Sequence, residues 1–192
     1  AYTEKPMDMM FMTASYRTDA IPPADAWMAG ETINYYYLGY LIYGTLSRIV
    51  GISTWTGYNL ALATTASMAF VAAGGAAFAI VRRTATARAA WIGGLLAGFL
   101  VVIAGNMKAA IEFVRDPSGT WNAGWWERIG WASSRIVVDH GAQQEQTINE
   151  FPWFSLLLGD LHPHLTALPF ALLAITLAIG VVLAGRSEPL DR

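Results

Sequence analysis

Three stretches of the chain are apolar almost without interruption, at positions 57–81, 89–104 and 165–184. Each approaches the length of about 20 residues that the hydrocarbon core of a bilayer requires of a helix, and the pattern therefore predicts three transmembrane helices. The first two are joined by the short polar run RRTATAR, which holds Arg82, Arg83 and Arg88. Short basic loops face the cytoplasm, so the first helix runs inward, the second returns and the third runs inward again. That last helix ends in a tail carrying Arg186 and Arg192, a second basic end on the same side. Residues 1–55 and the long connection 105–164 then fall on the outer side.

Two segments have a different pattern. In 33–50, INYYYLGYLIYGTLSRIV, Tyr35, Tyr36, Tyr37, Tyr40 and Tyr43 crowd an otherwise apolar run that also holds Arg48. Its length leaves a fourth span open, but aromatic rings and a guanidinium suit a juxtamembrane helix at headgroup level. In 124–137, Trp125, Trp126 and Trp131 alternate with charges, and an interfacial helix is expected there too. Small residues inside the spans, Gly74–Gly75 and the Gly94-xxx-Gly98 spacing, allow helix backbones to approach closely in lipid.

Composition supports this reading and excludes others. Of 192 residues 55% are hydrophobic and only 14% charged, with eight Trp, too few charges for an ordinary soluble domain. A net charge of −2 without a basic arm gives no reason to expect a nucleic-acid partner. With no cysteine there is neither a disulfide framework nor a thiolate metal site. The chain opens at Ala1 without a Met or a signal-type core, as a piece of a longer protein would. No repeat or flexible linker divides it, and 1–192 is treated as one membrane domain.

The polar residues that need a reason gather in three clusters, all on the outer side. In TEKPMD, a helix that starts at Pro6 puts Asp8 in its first turn with Glu4 just ahead. In TDAIPPADAWMAGETINYYY, the Pro22–Pro23 pair imposes an extended turn that carries Asp19, Asp25 and Glu31. In GDLHPH, Pro163 disfavours helical geometry at His162, so Asp160, His162 and His164 should run extended and share one face before the span begins at Pro163 or His164. Pro169 is expected to kink that span. Imidazoles and a carboxylate on one face can ligate a divalent cation, bind phosphate or exchange protons. Singly, each also serves as a helix-start cap; as a set, they point to a site. Arg135 follows the Trp-rich stretch, where a guanidinium either clamps a lipid phosphate or anchors at the headgroups; Lys5 and Lys108 are weaker versions of that case.

The motifs EKPMD, PPADAWMAGETINYYYLGY and TINEFPWFSLLLGDLHPHLTALPF, read in that order from Glu4 to about Leu173, resemble the YYY membrane proteins, a DUF2298-like uncharacterised family of very hydrophobic proteins from Chloroflexi-like bacteria and archaea named for its Tyr triplet. Ala26 departs from the pattern, where an Asp-Pro-Trp turn is expected. Members are typically longer, so the resemblance implies a fragment of a larger bundle. That family is distantly similar to the GT-C glycosyltransferases, which use polyprenyl-phosphate sugars at the outer membrane face. The similarity puts Glu4 and Asp8 in the acidic position that follows a first helix, and 33–50 in the juxtamembrane position.

The expectation is thus an all-α integral membrane fold whose polar site faces the outside of the cell membrane, transferring sugar from a polyprenyl-phosphate donor. In that scheme Asp8 or Glu4 is the base. Arg135 with His162 and His164 receives the phosphate, Asp25, Glu31 and Asp160 shape the site, and the lipid tail lies by the Tyr-rich segment near Tyr36. A divalent cation such as Mg or Mn would sit on Asp160, His162 and His164. Transport or ion binding, and a structural subunit, are the alternatives; the span centres contain no ionisable residue, which argues against a conduction path.

Overall fold

A computed structural model of the chain describes residues 4–117, 124–137 and 147–185. The described residues are helical, apart from connecting loops and one isolated antiparallel bridge between Ala24 and Thr32. Helix α1 spans Lys5–Arg17, α2 Tyr37–Val50, α3 Thr54–Val81 and α4 Ala87–Phe99, the last continuing as π-helix through Leu100–Ala104. After these come α5 (Lys108–Arg115), a π-helical stretch Trp126–Trp131, α6 (Pro152–Leu158) and α7 (Pro163–Gly185). Arg186 and Arg192 lie outside the described residues.

Three of these helices have the length and composition of membrane spans: Thr54–Val81, Ala87–Ala104 and Pro163–Gly185. At 1.5 Å per residue the first is about 42 Å long and the third about 35 Å, enough to cross a core of about 30 Å. Exposure shows which solvent they expect. The most apolar 18-residue window of α7 has a mean hydropathy of 2.5, yet only 6% of it is buried within the protein. Water would make such a surface costly, whereas lipid tails cover it. At 14 residues, or about 21 Å, α2 falls short of a span. The segment expected to start at 33 becomes helical only at Tyr37, because Tyr36 takes a left-handed conformation with φ of 50°.

Close backbone approach ties α3 to α4. A Cβ placed on Gly94 would stand 2.9 Å from the Gly74 carbonyl oxygen, and one on Gly98 would stand 2.8 Å from the Phe70 ring. The end of the third span meets the basic loop, where Arg83 Nη1 donates to the Leu183 carbonyl at 3.3 Å. Accordingly α3 and α7 run in the same direction, with α4 antiparallel, and the Arg82–Arg83 loop marks one end of the bundle.

Helices α1 and α2 pack across the opposite end. The buried face of α1 consists of Asp8, Phe11, Met12 and Ser15, spaced at three and four residues. It meets Tyr40, Gly44 and Ser47 of α2, where a Cβ on Gly44 would stand 2.9 Å from the Met12 carbonyl oxygen. Phe11, Met12, Ile33, Tyr40, Tyr58, Ala61 and Leu161 form the core at this end. Pro6 in the first turn of α1 and the carbonyl of Glu4, which accepts from Met7 and Asp8 nitrogens, set the start of α1 beside the start of α7.

Candidate functional site

Asp8 is the deepest polar residue at this end, with 0% of its surface exposed. Its Oδ1 accepts a short hydrogen bond from the Tyr40 hydroxyl, and its Oδ2 accepts from the Tyr58 hydroxyl at 3.0 Å. Tyr58 in turn accepts the Leu161 N–H at 2.9 Å and approaches the Gly159 carbonyl at 3.3 Å. One phenol near the start of α3 therefore bonds both to α1 and to the turn that leads into α7. Burial, with the Asp8 carboxylate beside it, raises the Tyr40 hydroxyl well above its usual range, so it remains a donor.

Asp160 joins this inner group. It is 5% exposed, and its Oδ1 has no hydrogen-bond donor. Burial first, and then the adjoining Asp8 carboxyl, push its pKa up to about 8, with Glu150 and Glu4 adding repulsion. That rise favours the protonated form of Asp160.

A second, more open layer lies at the start of α7. His162 caps that helix: its carbonyl accepts from Leu165 and Thr166 nitrogens at 3.0 and 3.1 Å. Its Nε2 is 3.3 Å from Glu4 Oε2, and its Nδ1 faces His164 Nδ1 at 2.8 Å. His164 Nε2 lies 3.0 Å from Ser155 Oγ, and His164 Nδ1 lies 3.8 Å from Glu150 Oε2. The Tyr36 ring is 6.3 Å from that of His162. Lys5 stands at the same rim, its Nζ 3.2 Å from where a Gly159 Cβ would be. The carboxylates of EKPMD and the groups of GDLHPH, about 150 residues apart in sequence, thus meet directly.

The structure also separates residues that the sequence groups together. Asp160 does not share a face with the two imidazoles: Gly159 turns the chain with φ of 66°, Leu161 is pulled into the core by Tyr58, and the Asp160 side chain lies with Asp8 instead. Among the described residues, Glu150, His162 and His164 are the ones whose ligand atoms lie within 4.8 Å of one another. Asp25 spends Oδ1 on the Trp27 and Met28 nitrogens, in a turn closed by Asp25 N donating to the Glu31 carbonyl at 2.9 Å. That turn is built to hold its own shape, and no bond links Asp25 or Glu31 to the imidazoles among the described residues. Arg135 stacks over Trp131, 4.4 Å from the ring centre, and donates to Ser134 O and Oγ at 2.8 Å. Sequence reasoning missed Tyr58, Ser155 and Glu150. Only the last left a trace, as an acidic residue in the otherwise apolar NEFPWF.

Beside the outer layer, a groove of about 510 Å³ runs between α2 and α7, lined by Tyr36, Tyr37, Ile42, Pro163, Ala167 and Phe170 among others. Its lining is mostly apolar, with Asn34, Thr166 and the phenols of Tyr36 and Tyr37 as its polar groups. No curated protein and no solved structure matches the chain. One family model does, the uncharacterised membrane proteins of DUF2298, and it covers residues 1–192, the entire length over which these helices and this polar cluster are laid out. The chain belongs to the DUF2298 membrane protein family.

Proposed function

We propose that this protein is a GT-C-like glycosyltransferase component that handles a polyprenyl-phosphate sugar at the outer membrane face. The observation that carries the reading is the position of the Glu4–His162–His164 cluster beside the apolar α2–α7 groove. A polyprenyl phosphate has that same division between an anionic head and a hydrocarbon tail. The Arg82–Arg83 loop at the opposite end of the bundle supports the outer location, under the positive-inside rule.

In the proposed step, an acceptor hydroxyl attacks the anomeric carbon of the donor. The new C–O bond forms as the bond to the phosphate oxygen breaks, the hydroxyl proton passes to a carboxylate, and polyprenyl phosphate departs. Glu4 suits the base role better than Asp8, since its side chain is 55% exposed at the rim whereas Asp8 is sealed in and bonded to two phenols. Lys5 at the same rim supplies positive charge for the leaving phosphate, beside the two imidazoles. Arg135, held on Trp131 and Ser134, is assigned to interfacial anchoring.

The test uses the protein in nanodiscs with radiolabelled polyprenyl-phosphate hexoses and a mixed acceptor pool. Glu4→Gln should lower sugar release by roughly 10²-fold or more, the scale of a lost general base. Phe170→Ala, which widens the groove, should raise KM and leave kcat little changed. Release from the wild type that Glu4→Gln leaves intact would remove Glu4 from the base role, and no release from any donor offered would overturn the transferase reading.

A further inference from the structure

The two imidazoles of GDLHPH meet in an orientation that either a hydrogen bond or a bound cation can satisfy. Their Nδ1 atoms face each other at 2.8 Å, while each Nε2 points to a different partner, Glu4 Oε2 at 3.3 Å for His162 and Ser155 Oγ at 3.0 Å for His164. An ionised Glu4 only accepts, so His162 Nε2 carries the hydrogen, and in the neutral ring Nδ1 is then a bare lone pair. The same holds for His164 when its Nε2–H donates to Ser155. In that tautomer two lone pairs converge on one point, which a cation would occupy.

The other neutral tautomer of His164 meets the same geometry with an ordinary hydrogen bond, its Nδ1–H donating to His162 Nδ1 while the Ser155 hydroxyl donates to its Nε2. Glu150 argues for something larger. Its Oε2 stands 3.8 Å from His164 Nδ1, and all three ligand atoms lie within 4.8 Å of one another. Around a tetrahedral ion with bonds of about 2.0–2.1 Å, neighbouring ligand atoms sit about 3.3 Å apart. The observed 2.8 and 3.8 Å bracket that edge, and the third pair, within 4.8 Å, would close by up to about 1.5 Å as Glu150 swings in to complete the shell. Metal-bound imidazoles also characteristically donate their other N–H to a carboxylate or similar acceptor, the places held here by Glu4 and Ser155.

We propose that Glu150, His162 and His164 form a binding site for a divalent transition metal, with Glu4 and Ser155 orienting the two rings and one coordination position left for an outside ligand. Two nitrogens and one oxygen favour Zn²⁺ and its neighbours over Mg²⁺ or Ca²⁺, which take oxygen shells. Asp160 is not a ligand, since its carboxyl lies with Asp8 in the inner layer. The site stands whether or not the protein transfers sugar.

The probe is Co²⁺, titrated into chelator-stripped protein in nanodiscs, purified on a tag without histidine and carrying His140→Ala so that only His162 and His164 remain. Visible d–d bands of a four- or five-coordinate ion should saturate near one equivalent and be displaced by Zn²⁺ but not by excess Mg²⁺. His162→Ala, His164→Ala and Glu150→Gln should each weaken binding by at least about 100-fold, and Ser155→Ala by about 10-fold, the usual scale for an orienting partner. Asp160→Asn should leave it within about twofold, and thermal unfolding of each variant establishes that it is folded. Folded wild-type protein that shows no saturable bands would overturn the proposal in favour of a hydrogen-bonded neutral pair. Loss of binding in Asp160→Asn with retention in Glu150→Gln would overturn the ligand set.

Discussion

Replacing Tyr58 by Phe deletes one oxygen from a ring that is 5% exposed and leaves the packing of that ring in place. The hydroxyl donates to Asp8 Oδ2 at 3.0 Å and accepts the Leu161 N–H at 2.9 Å. Leu161 is fully buried, so its N–H would be left without a partner, at a cost of about 1–3 kcal/mol. A hydrogen bond to a charged group contributes about 1.5–3 kcal/mol more, though Tyr40 would go on serving the same carboxylate. Together these give an expected loss of about 3 kcal/mol. Tyr40→Phe breaks only its bond to Asp8 and strands no backbone group, so it should cost less, about 2 kcal/mol. Tyr35→Phe, at a half-exposed ring, should change stability by less than about 0.5 kcal/mol. Unfolding by SDS titrated into mixed micelles, followed by tryptophan fluorescence, measures all three. A Tyr58→Phe protein within 0.5 kcal/mol of wild type, or a larger loss at Tyr40, would refute the claim that one phenol joins α1, α3 and the α7 turn.

Other substitutions probe separate parts of the fold. Gly94→Ala places a methyl group 2.9 Å from the Gly74 carbonyl and should cost about 1–3 kcal/mol, while Gly180→Ala, with nothing within 4 Å, should be neutral in the same unfolding assay. Asp160→Asn keeps a donor toward Asp8 and should be tolerated within about 1 kcal/mol, whereas Asp8→Asn turns an amide N–H₂ toward the Tyr40 or Tyr58 hydroxyl and should cost at least about 2 kcal/mol. Single cysteines at Ala20 and Thr84, in a background with none, should react with an impermeant maleimide from opposite sides of sealed vesicles; reaction from the same side would refute the topology.

The helices that cross the membrane could be read directly from the sequence, because their cause is local. Uninterrupted apolar length and short basic loops act within about 20 residues, and 57–81, 89–104 and 165–184 became Thr54–Val81, Ala87–Ala104 and Pro163–Gly185. The start of α7 at Pro163 was legible for the same reason, as a property of proline's own ring. Inside the polar cluster, local rules ran out. The two-residue spacing of Asp160, His162 and His164 implies a common face only while the backbone stays extended, and two distant influences break that condition. Gly159 ends α6 in a left-handed turn, and Tyr58, 103 positions earlier, captures the Leu161 N–H and draws Leu161 inward. Asp160 is thereby sent to the buried Asp8, and the imidazoles are left to find Glu4, Glu150 and Ser155. Nothing in the α3 sequence marks Tyr58 for this role, since its phenol at the start of a span looks like one more interfacial aromatic. What makes it different is that α1 covers it: burial denies the hydroxyl water and forces it to bond with Asp8 and Leu161. The division into a sealed carboxyl pair and an open histidine cluster is thus a consequence of how α1 packs on α3, which periodicity along either helix alone does not encode.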